Sequence, residues 1–212
     1  MKVEIWSDYV CPFCYIGKRK FESALASFEH KDSVVTELRS FELDPSTDSS
    51  LGMTTHEMLS RKYGMSLEQA KSTGDGVVQQ AAAVGLTFRL DGALSLNTFN
   101  AHRLAHYAEE QGKGAAMSER LLKAYFTDNL NIDDPEQLAE LADEVGLDKD
   151  AALAVLQSDS YADSVRAQEQ EGSRLGIRGV PFFVIDRKYA VSGAQPPEVF
   201  LETLKKAWAE RS

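Results

Sequence analysis

Apolar residues recur along this chain with two different periods, and the switches between them divide it. From Met1 to Trp6, Val3 and Ile5 alternate with Lys2 and Glu4, the two-residue period of a short β-strand. Lys18 to Phe28 carries apolar residues at helical spacing, and Pro12 suits the first position of a helix running into it. Val34 to Phe41 is rich in β-branched and aromatic side chains and predicts a second strand. Strand, helix and strand in close succession make a βαβ unit, which implies a parallel pair and a right-handed crossover.

The texture changes at Asp44-Pro45. A polar loop, Ser46 to Ser50, opens a long stretch with helical periodicity and no strand pattern. Thr55 to Tyr63 is closed by Gly64, and Ser66 with Gln69 forms a capping box for a helix reaching Gly85, weakened or broken midway by Gly74 and Gly76. Asn97 can cap a helix to about Gln111. Gly112-Lys113-Gly114 separates it from a second helix through Met117, Leu121, Leu122, Tyr125 and Phe126, the pattern of an antiparallel helical hairpin. Asp134, Pro135 and Gln137 supply an N-cap, an N1 proline and a box partner for a helix that stops at Gly146. Asp148 to Gln157 and Ser160 to Leu175 complete the helical stretch. Phe99, Leu104, Tyr107, Leu121, Leu122, Tyr125 and Phe126 are expected to form its own core, with a few of them facing the active site.

The strand period then returns. Gly176 to Pro181 leads into the apolar run Phe182 to Ile185, Asp186-Arg187-Lys188 reads as a turn, and Tyr189 to Ser192 as the partner strand of a hairpin. Pro196-Pro197 opens a terminal helix with Val199, Phe200, Leu204 and Trp208 toward the core. The order βαβ, helices, ββα predicts an α/β fold whose sheet-forming pieces, residues 1–44 and 176–212, flank an all-α insertion at 45–175.

Charge and length then narrow the function classes. The 212 residues suffice for one domain with a large insertion. The net charge of −10, from 23 basic and 33 acidic residues, comes without any Lys or Arg run long enough to track a phosphate backbone, which argues against nucleic acid as a partner. No stretch approaches the ~18 apolar residues of a membrane span, and the first residues lack the basic region and apolar run of a secretion signal. A cytoplasmic protein with no membrane partner is expected.

That compartment gives meaning to the two cysteines, Cys11 and Cys14. In a reducing environment a Cys-x-x-Cys beside a βαβ pattern reads more readily as a redox motif than as a structural staple. Zinc half-site and inert packing are the alternatives. Structural zinc takes four Cys or His ligands, and His30, His56, His102 and His106 lack finger spacing, so no metal is expected. His102 and His106, four apart on one predicted helix, read as packed or surface residues because no carboxylate beyond Glu109 and Glu110 stands at a ligand-like offset. Gly74-Asp75-Gly76 and Gly92 to Leu96 lack a phosphate-loop fingerprint and read as turns.

Two residues three apart in a first helical turn have Cβ atoms about 5 to 6 Å apart, so a reversible disulfide between Cys11 and Cys14 is within reach. The helix N-terminus offers unsatisfied N–H groups and partial positive charge, which favour a thiolate. Cys11, at the very start, is the expected nucleophile, and Cys14 the resolving thiol.

Gly179-Val180-Pro181 at one end of this order and Cys11-Pro12-Phe13-Cys14 at the other together resemble the thioredoxin superfamily, and within it the DsbA family and its FrnE-like branch. The resemblance covers the whole length. It includes Ser7-Asp8 before Cys-Pro-aromatic-Cys-Tyr-Ile-Gly-Lys-Arg, Leu175-Gly176-Ile177 before Gly-Val-Pro-Phe-Phe, and Ser192-Gly193-Ala194-Gln195 near the end. It implies a thioredoxin-like fold interrupted by a helical domain, with Pro181 cis and beside the cysteines. Pro12, Phe13, Val180 and Pro181 would contact substrate, the Val180 backbone pairing with an extended segment. The implied activity is that of a thiol:disulfide oxidoreductase with no cofactor beyond its own redox-active disulfide. Its partners would be thiol- or disulfide-containing proteins or peptides, with glutathione as a candidate co-substrate.

Strongly oxidising relatives carry a histidine where Phe13 stands, so a nucleophile less acidic than theirs is expected here. Asp8 is a candidate proton relay to Cys14, the alternative being a loop acid favoured by the helix start. Two rival functions stay open. One is a glutathione-dependent isomerase or transferase of the hydroxychromene-carboxylate isomerase type, acting on a small aromatic, polyketide-like substrate; those enzymes usually place a serine where Cys11 stands. The other is a non-enzymatic holdase with a thiol sensor.

Overall fold

A computed structural model describes residues 1–211 and shows two compact units, Met1–Leu43 joined to the chain from Ala167 onward, and Asp44–Arg166. In chain order the elements are β1 (Lys2–Ser7), α1 (Pro12–Ala26), β2 (Val35–Ser40), α2 (Thr55–Tyr63), α3 (Leu67–Ala82), α4 (Phe99–Glu110) and α5 (Gly114–Phe126). There follow α6 (Pro135–Glu144), α7 (Lys149–Leu156), α8 (Ala162–Arg174), β3 (Phe182–Ile185), β4 (Tyr189–Ser192) and α9 (Pro197–Ala209).

The first unit is built on a sheet of order β2-β1-β3-β4. β1 runs parallel to β2, with Lys2 opposite Val35 and Ser7 opposite Ser40, as a βαβ crossover requires. β3 is antiparallel to β1, with Val3 opposite Ile185 and Trp6 opposite Phe182, and pairs with β4 in the expected hairpin. Its turn has Asp186 and Arg187 at φ 47° and 57°, and Lys188 N–H donates to Ile185 O at 3.0 Å. That is the left-handed pair of a primed turn, which matches the twist of the strands even without glycine.

One face of the sheet buries Val3, Ile5, Phe183 and Ile185 against Phe21 of α1 and Phe200 and Leu204 of α9. The rings of Phe183 and Phe200 meet edge-on at 4.6 Å, and Phe21 lies 5.5 Å from Phe183. On the opposite face Trp6, Val184 and Ile177 form a second cluster. β1 is therefore covered on both sides, and Glu4, which its alternation with Val3 and Ile5 would turn to solvent, is buried between Arg39 and Arg187. Val199, expected to face the core, is exposed instead, while Phe200, Leu204 and Ala207 carry the packing of α9.

The chain rejoins this unit at Ala167, inside α8, rather than at residue 176. The reason is a set of contacts that hydropathy does not register. Trp6 Nε1 donates to Gln168 O at 3.0 Å, Ser40 N–H donates to Gln168 Oε1 at 2.7 Å, and Arg187 pairs with Glu171 at 2.7 Å. Gly172 faces Trp6 so closely that a Cβ there would lie 2.8 Å from Nε1. A polar helix end docks here through hydrogen bonds and one missing side chain.

In the second unit, the capping boxes of Thr54 with Glu57 and of Ser66 with Gln69 open α2 and α3. α3 runs unbroken through Gly74 and Gly76, against the expectation of a break or turn there. At Gly74 the helix lies close against α2, since a Cβ there would come within 2.7 Å of His56 Nε2. Helix continuity is kept because tertiary packing outweighs the roughly 1 kcal/mol propensity deficit of a helical glycine. α4 starts after Thr98, with the Asn97 side chain accepting from Phe99 N–H at 2.9 Å. Leu104, Leu121, Leu122, Tyr125 and Phe126 are buried, whereas Phe99 and Tyr107 are half-buried. Among the described residues no helix is long and apolar enough to cross a membrane.

Candidate active site

β1 delivers the chain through Ser7 and Asp8 to a turn in which Cys11 N–H donates to Asp8 O at 3.3 Å. Cys11 then serves as the N-cap of α1, in extended conformation at φ −90° and ψ 110°, with Pro12 at the first helical position. Proline suits that position because its missing N–H is one that the helix leaves unsatisfied in any case. Cys14 N–H donates to Cys11 O at 3.0 Å, closing the first turn and bringing the cysteines onto one side of it. Both are free thiols, 4% and 2% exposed. Phe13, between them, is 41% exposed, and Pro12 is half-buried.

The environment treats the two sulfurs differently. Burial pushes the Cys14 thiol well above its ordinary value, and the adjacent Cys11 side chain adds to the effect. The Asp8 N–H, 3.5 Å from Cys14 Sγ, and the Ser7 side chain pull it back only in part. Cys14 is thereby kept protonated at neutral pH. Cys11, at the helix start, has its S–H directed to Val180 O at 3.6 Å.

The Val180–Pro181 peptide is cis, Pro181 is buried, and Val180 is half-buried. The structure thus brings Cys11, Cys14, Val180 and Pro181, distant in sequence, to one end of the first unit, with Pro12 and Phe13 on the same turn. Asp8 is 1% exposed, and its carboxylate accepts from Leu43 N–H at 2.7 Å. Its backbone, through the N–H described above, faces Cys14.

Gly17 is a site residue that pattern reading missed. A Cβ there would meet Pro181 Cγ at 3.0 Å, so the helix passes the proline too closely to take a side chain without a shift of a few tenths of an ångström. The available signal was a glycine in the body of a helix, a position that disfavours it by about 0.5–1 kcal/mol relative to alanine. His102 is buried in α4, and the His106 ring stacks on Tyr161 at 6.4 Å. Among the described residues no group of three or more His, Cys, Asp or Glu side chains could hold a metal ion.

A helix-flanked four-stranded sheet, with a Cys-x-x-Cys opening α1 and a cis-proline strand beside it, defines a protein of the thioredoxin class. The family model of the DSBA-like thioredoxin domain matches residues 2–205, and the chain belongs to that family. It is 30% identical over 206 residues to an uncharacterised protein, YwbO, of Bacillus subtilis (strain 168), covering 93% of this chain and 92% of that one. The crystal structure of a probable DsbA oxidoreductase, SCO1869 from Streptomyces coelicolor, superposes with a TM-score of 0.96 at 48% identity, over 100% of this chain and 92% of the other. The cytosolic disulfide reductase DsbM from Pseudomonas aeruginosa covers all of both chains at a TM-score of 0.69 and 19% identity, a likeness of fold.

Proposed function

We propose that this protein is a thiol:disulfide oxidoreductase in which Cys11 attacks and Cys14 resolves. The observation that carries this reading is the placement of the pair: Cys11 at a helix N-terminus with its sulfur 3.6 Å from the Val180 carbonyl, and Cys14 in the first turn beside it, its thiol held protonated by burial. Membership of the DSBA-like family and the 48% identity to a probable DsbA oxidoreductase support it.

In the reductive direction the Cys11 thiolate attacks one sulfur of a substrate disulfide in line. The substrate S–S bond breaks, its distal sulfur leaves as a thiolate, and a mixed disulfide joins Cys11 to the substrate. Cys14 then gives up its proton and attacks Cys11 Sγ, releasing the second substrate thiol and closing the Cys11–Cys14 disulfide. Two electrons have passed to the substrate, and two glutathione thiols, or an equivalent external dithiol, restore the pair. Run backward, the oxidised pair takes two electrons from a substrate dithiol. Direction depends on the potential of the pair, with about 30 mV equivalent to roughly 1.4 kcal/mol.

The Val180 backbone pairs with an extended segment of the partner, Pro181, Pro12 and exposed Phe13 form the contact surface around it, and Asp8 serves as the acid that passes a proton to and from Cys14. The chemistry needs no cofactor beyond the cysteine pair itself. The reducing cytoplasm, the FrnE-like branch and protein or peptide thiols as partners belong to the same reading. The cytosolic setting of the DsbM protein is in keeping with it.

The test is insulin reduction and dithiol oxidation by the parent chain and by Cys11→Ser. Loss of both activities in the variant is expected, and full activity would overturn the assignment. Isomerase turnover with glutathione that survives Cys14→Ala, or client binding indifferent to loss of both cysteines, would instead favour the isomerase or holdase.

A further inference from the structure

The motif Ser192-Gly193-Ala194-Gln195 takes no part in the sulfur chemistry above, yet it lies against both Pro181 and α1. Gly193, at φ 82°, donates its N–H to Pro181 O at 2.8 Å. Gln195 N–H returns to Gly193 O at 3.0 Å, and Gln195 Nε2 donates to Ser192 O at 2.9 Å, so the segment is a tight, self-bonded arch.

Two residues of α1 receive this arch. Gly17 and Lys20 are three apart and share a helix face. A Cβ on Gly17 would lie 3.0 Å from Pro181 Cγ and 3.4 Å from both Cα and Cβ of Ala194. Neither neighbour is the loose end of a flexible side chain. Lys20 Nζ donates to Ala194 O at 2.9 Å, a charge-assisted bond that holds the arch down on the helix. The contacts therefore run from α1 through Ala194 and Pro181 to Val180, whose carbonyl meets Cys11 Sγ at 3.6 Å.

We propose that Gly17 and Lys20 are positioning residues that seat the Gly193–Gln195 arch on α1, and through it set where the Val180–Pro181 peptide stands relative to Cys11. This rests on the oxidoreductase reading and adds to it the device that fixes the substrate-pairing backbone. A methyl at position 17 pushes the proline and the arch outward by a few tenths of an ångström. A partner chain bonded to Val180 then carries its disulfide out of line with the Cys11 sulfur, whereas a small reagent that makes no bond to Val180 is unaffected.

The experiment compares the full-length parent, Cys11→Ser, Gly17→Ala, Lys20→Gln and the double variant Gly17→Ala with Ala194→Gly. Each is assayed for reduction of a disulfide-bearing peptide and for the rate of Cys11 alkylation by iodoacetamide. A parent no more active than Cys11→Ser overturns the oxidoreductase reading and this inference with it; an active parent leaves the remaining variants to decide the inference alone. Gly17→Ala is expected to lower kcat for the peptide about tenfold with KM within about twofold, since sub-ångström misplacement is felt strongly at a reacting centre. Its alkylation rate stays within about twofold of the parent's, and Ala194→Gly, by removing one crowding methyl, recovers part of the kcat. Lys20→Gln lowers kcat about threefold by loosening the arch without adding a clash. Unchanged kcat in both single variants, or kcat and alkylation deteriorating together, overturns the inference; should Gly17→Ala not fold, an unchanged kcat in Lys20→Gln does so.

Discussion

Replacing Glu4 by glutamine removes a carboxylate that two arginines share inside the first unit. The Glu4 side chain is 1% exposed, bonds to Arg39 and Arg187, and has Lys2 Nζ at 3.8 Å. Removing one partner from a fully buried pair costs about 3–5 kcal/mol, because the remaining charge is left without water or a counter-charge. Here Arg39 is 17% and Arg187 41% exposed, so both regain some solvent, and the glutamine oxygen still accepts one bond. The expected loss is accordingly about 2–3 kcal/mol. With a urea slope of about 2 kcal/mol/M this lowers the unfolding midpoint by about 1–1.5 M, and it lowers Tm by about 4–12 °C for a chain of this size.

Burial raises the Glu4 carboxyl, but the bonds from Arg187 and Arg39 outweigh it and hold the group below its ordinary value of 4.5. A carboxyl depressed in the folded chain stabilises that state above the unfolded pKa and loses its contribution as pH falls through the folded one. The gap between parent and Glu4→Gln should thus be complete at neutral pH and close progressively below the ordinary value. Urea unfolding followed by circular dichroism and by the fluorescence of nearby Trp6, at neutral and acid pH, measures it. Equal midpoints at neutral pH, or a gap that persists undiminished in acid, would refute the reasoning.

Cys14→Ser is expected to stop at the mixed disulfide, with close to one equivalent of substrate bound per chain by intact mass and turnover reduced at least about a hundredfold, because an external thiol replaces an oriented internal one; undiminished turnover would show that Cys14 is not the resolving thiol. Gly172→Ala should lower stability by about 1–3 kcal/mol, read as a fall in Tm, because the new Cβ overlaps the Trp6 indole. Arg103, buried in the second unit, donates to Ser160 O at 2.8 Å and Leu156 O at 3.3 Å, and also to Val155 O and Ser158 O, thereby closing the end of α7. Arg103→Met leaves those carbonyls without their donor and is expected to cost about 2–4 kcal/mol, with faster hydrogen exchange at the α7–α8 connection; unchanged protection there would count against the capping role.

The parts of the site that sequence made legible are local. Cys11, Pro12, Phe13 and Cys14 lie in one helical turn, so a motif and a turn geometry are enough to place them. Val180 and Pro181 were accessible through family resemblance, since nothing in their own neighbourhood says what they face across the fold. The burial of Asp8 depends on Leu43 arriving beside it from the far end of β2, and that of Glu4 on two arginines from different strands and turns. Each needs partners brought in by topology.

The periods and local motifs along the chain, by themselves, determined the βαβ and ββα pieces, the helical stretch between them, most helix starts, and the place of the cysteine pair at the start of a helix. These follow from interactions within a few residues: strand alternation, capping side chains, proline at N1, thiols three apart. Only the tertiary structure decided that Gly74 continues a helix where Gly64 ends one, because His56 occupies the space a side chain would take. It also decided that polar α8 belongs in part to the sheet unit, through Gln168 and Gly172 against Trp6. And it alone showed that Gly17 stands bare because Pro181 and Ala194 press on it. A missing side chain leaves no period in the sequence, and its purpose becomes visible only when the neighbour that fills the space is in place.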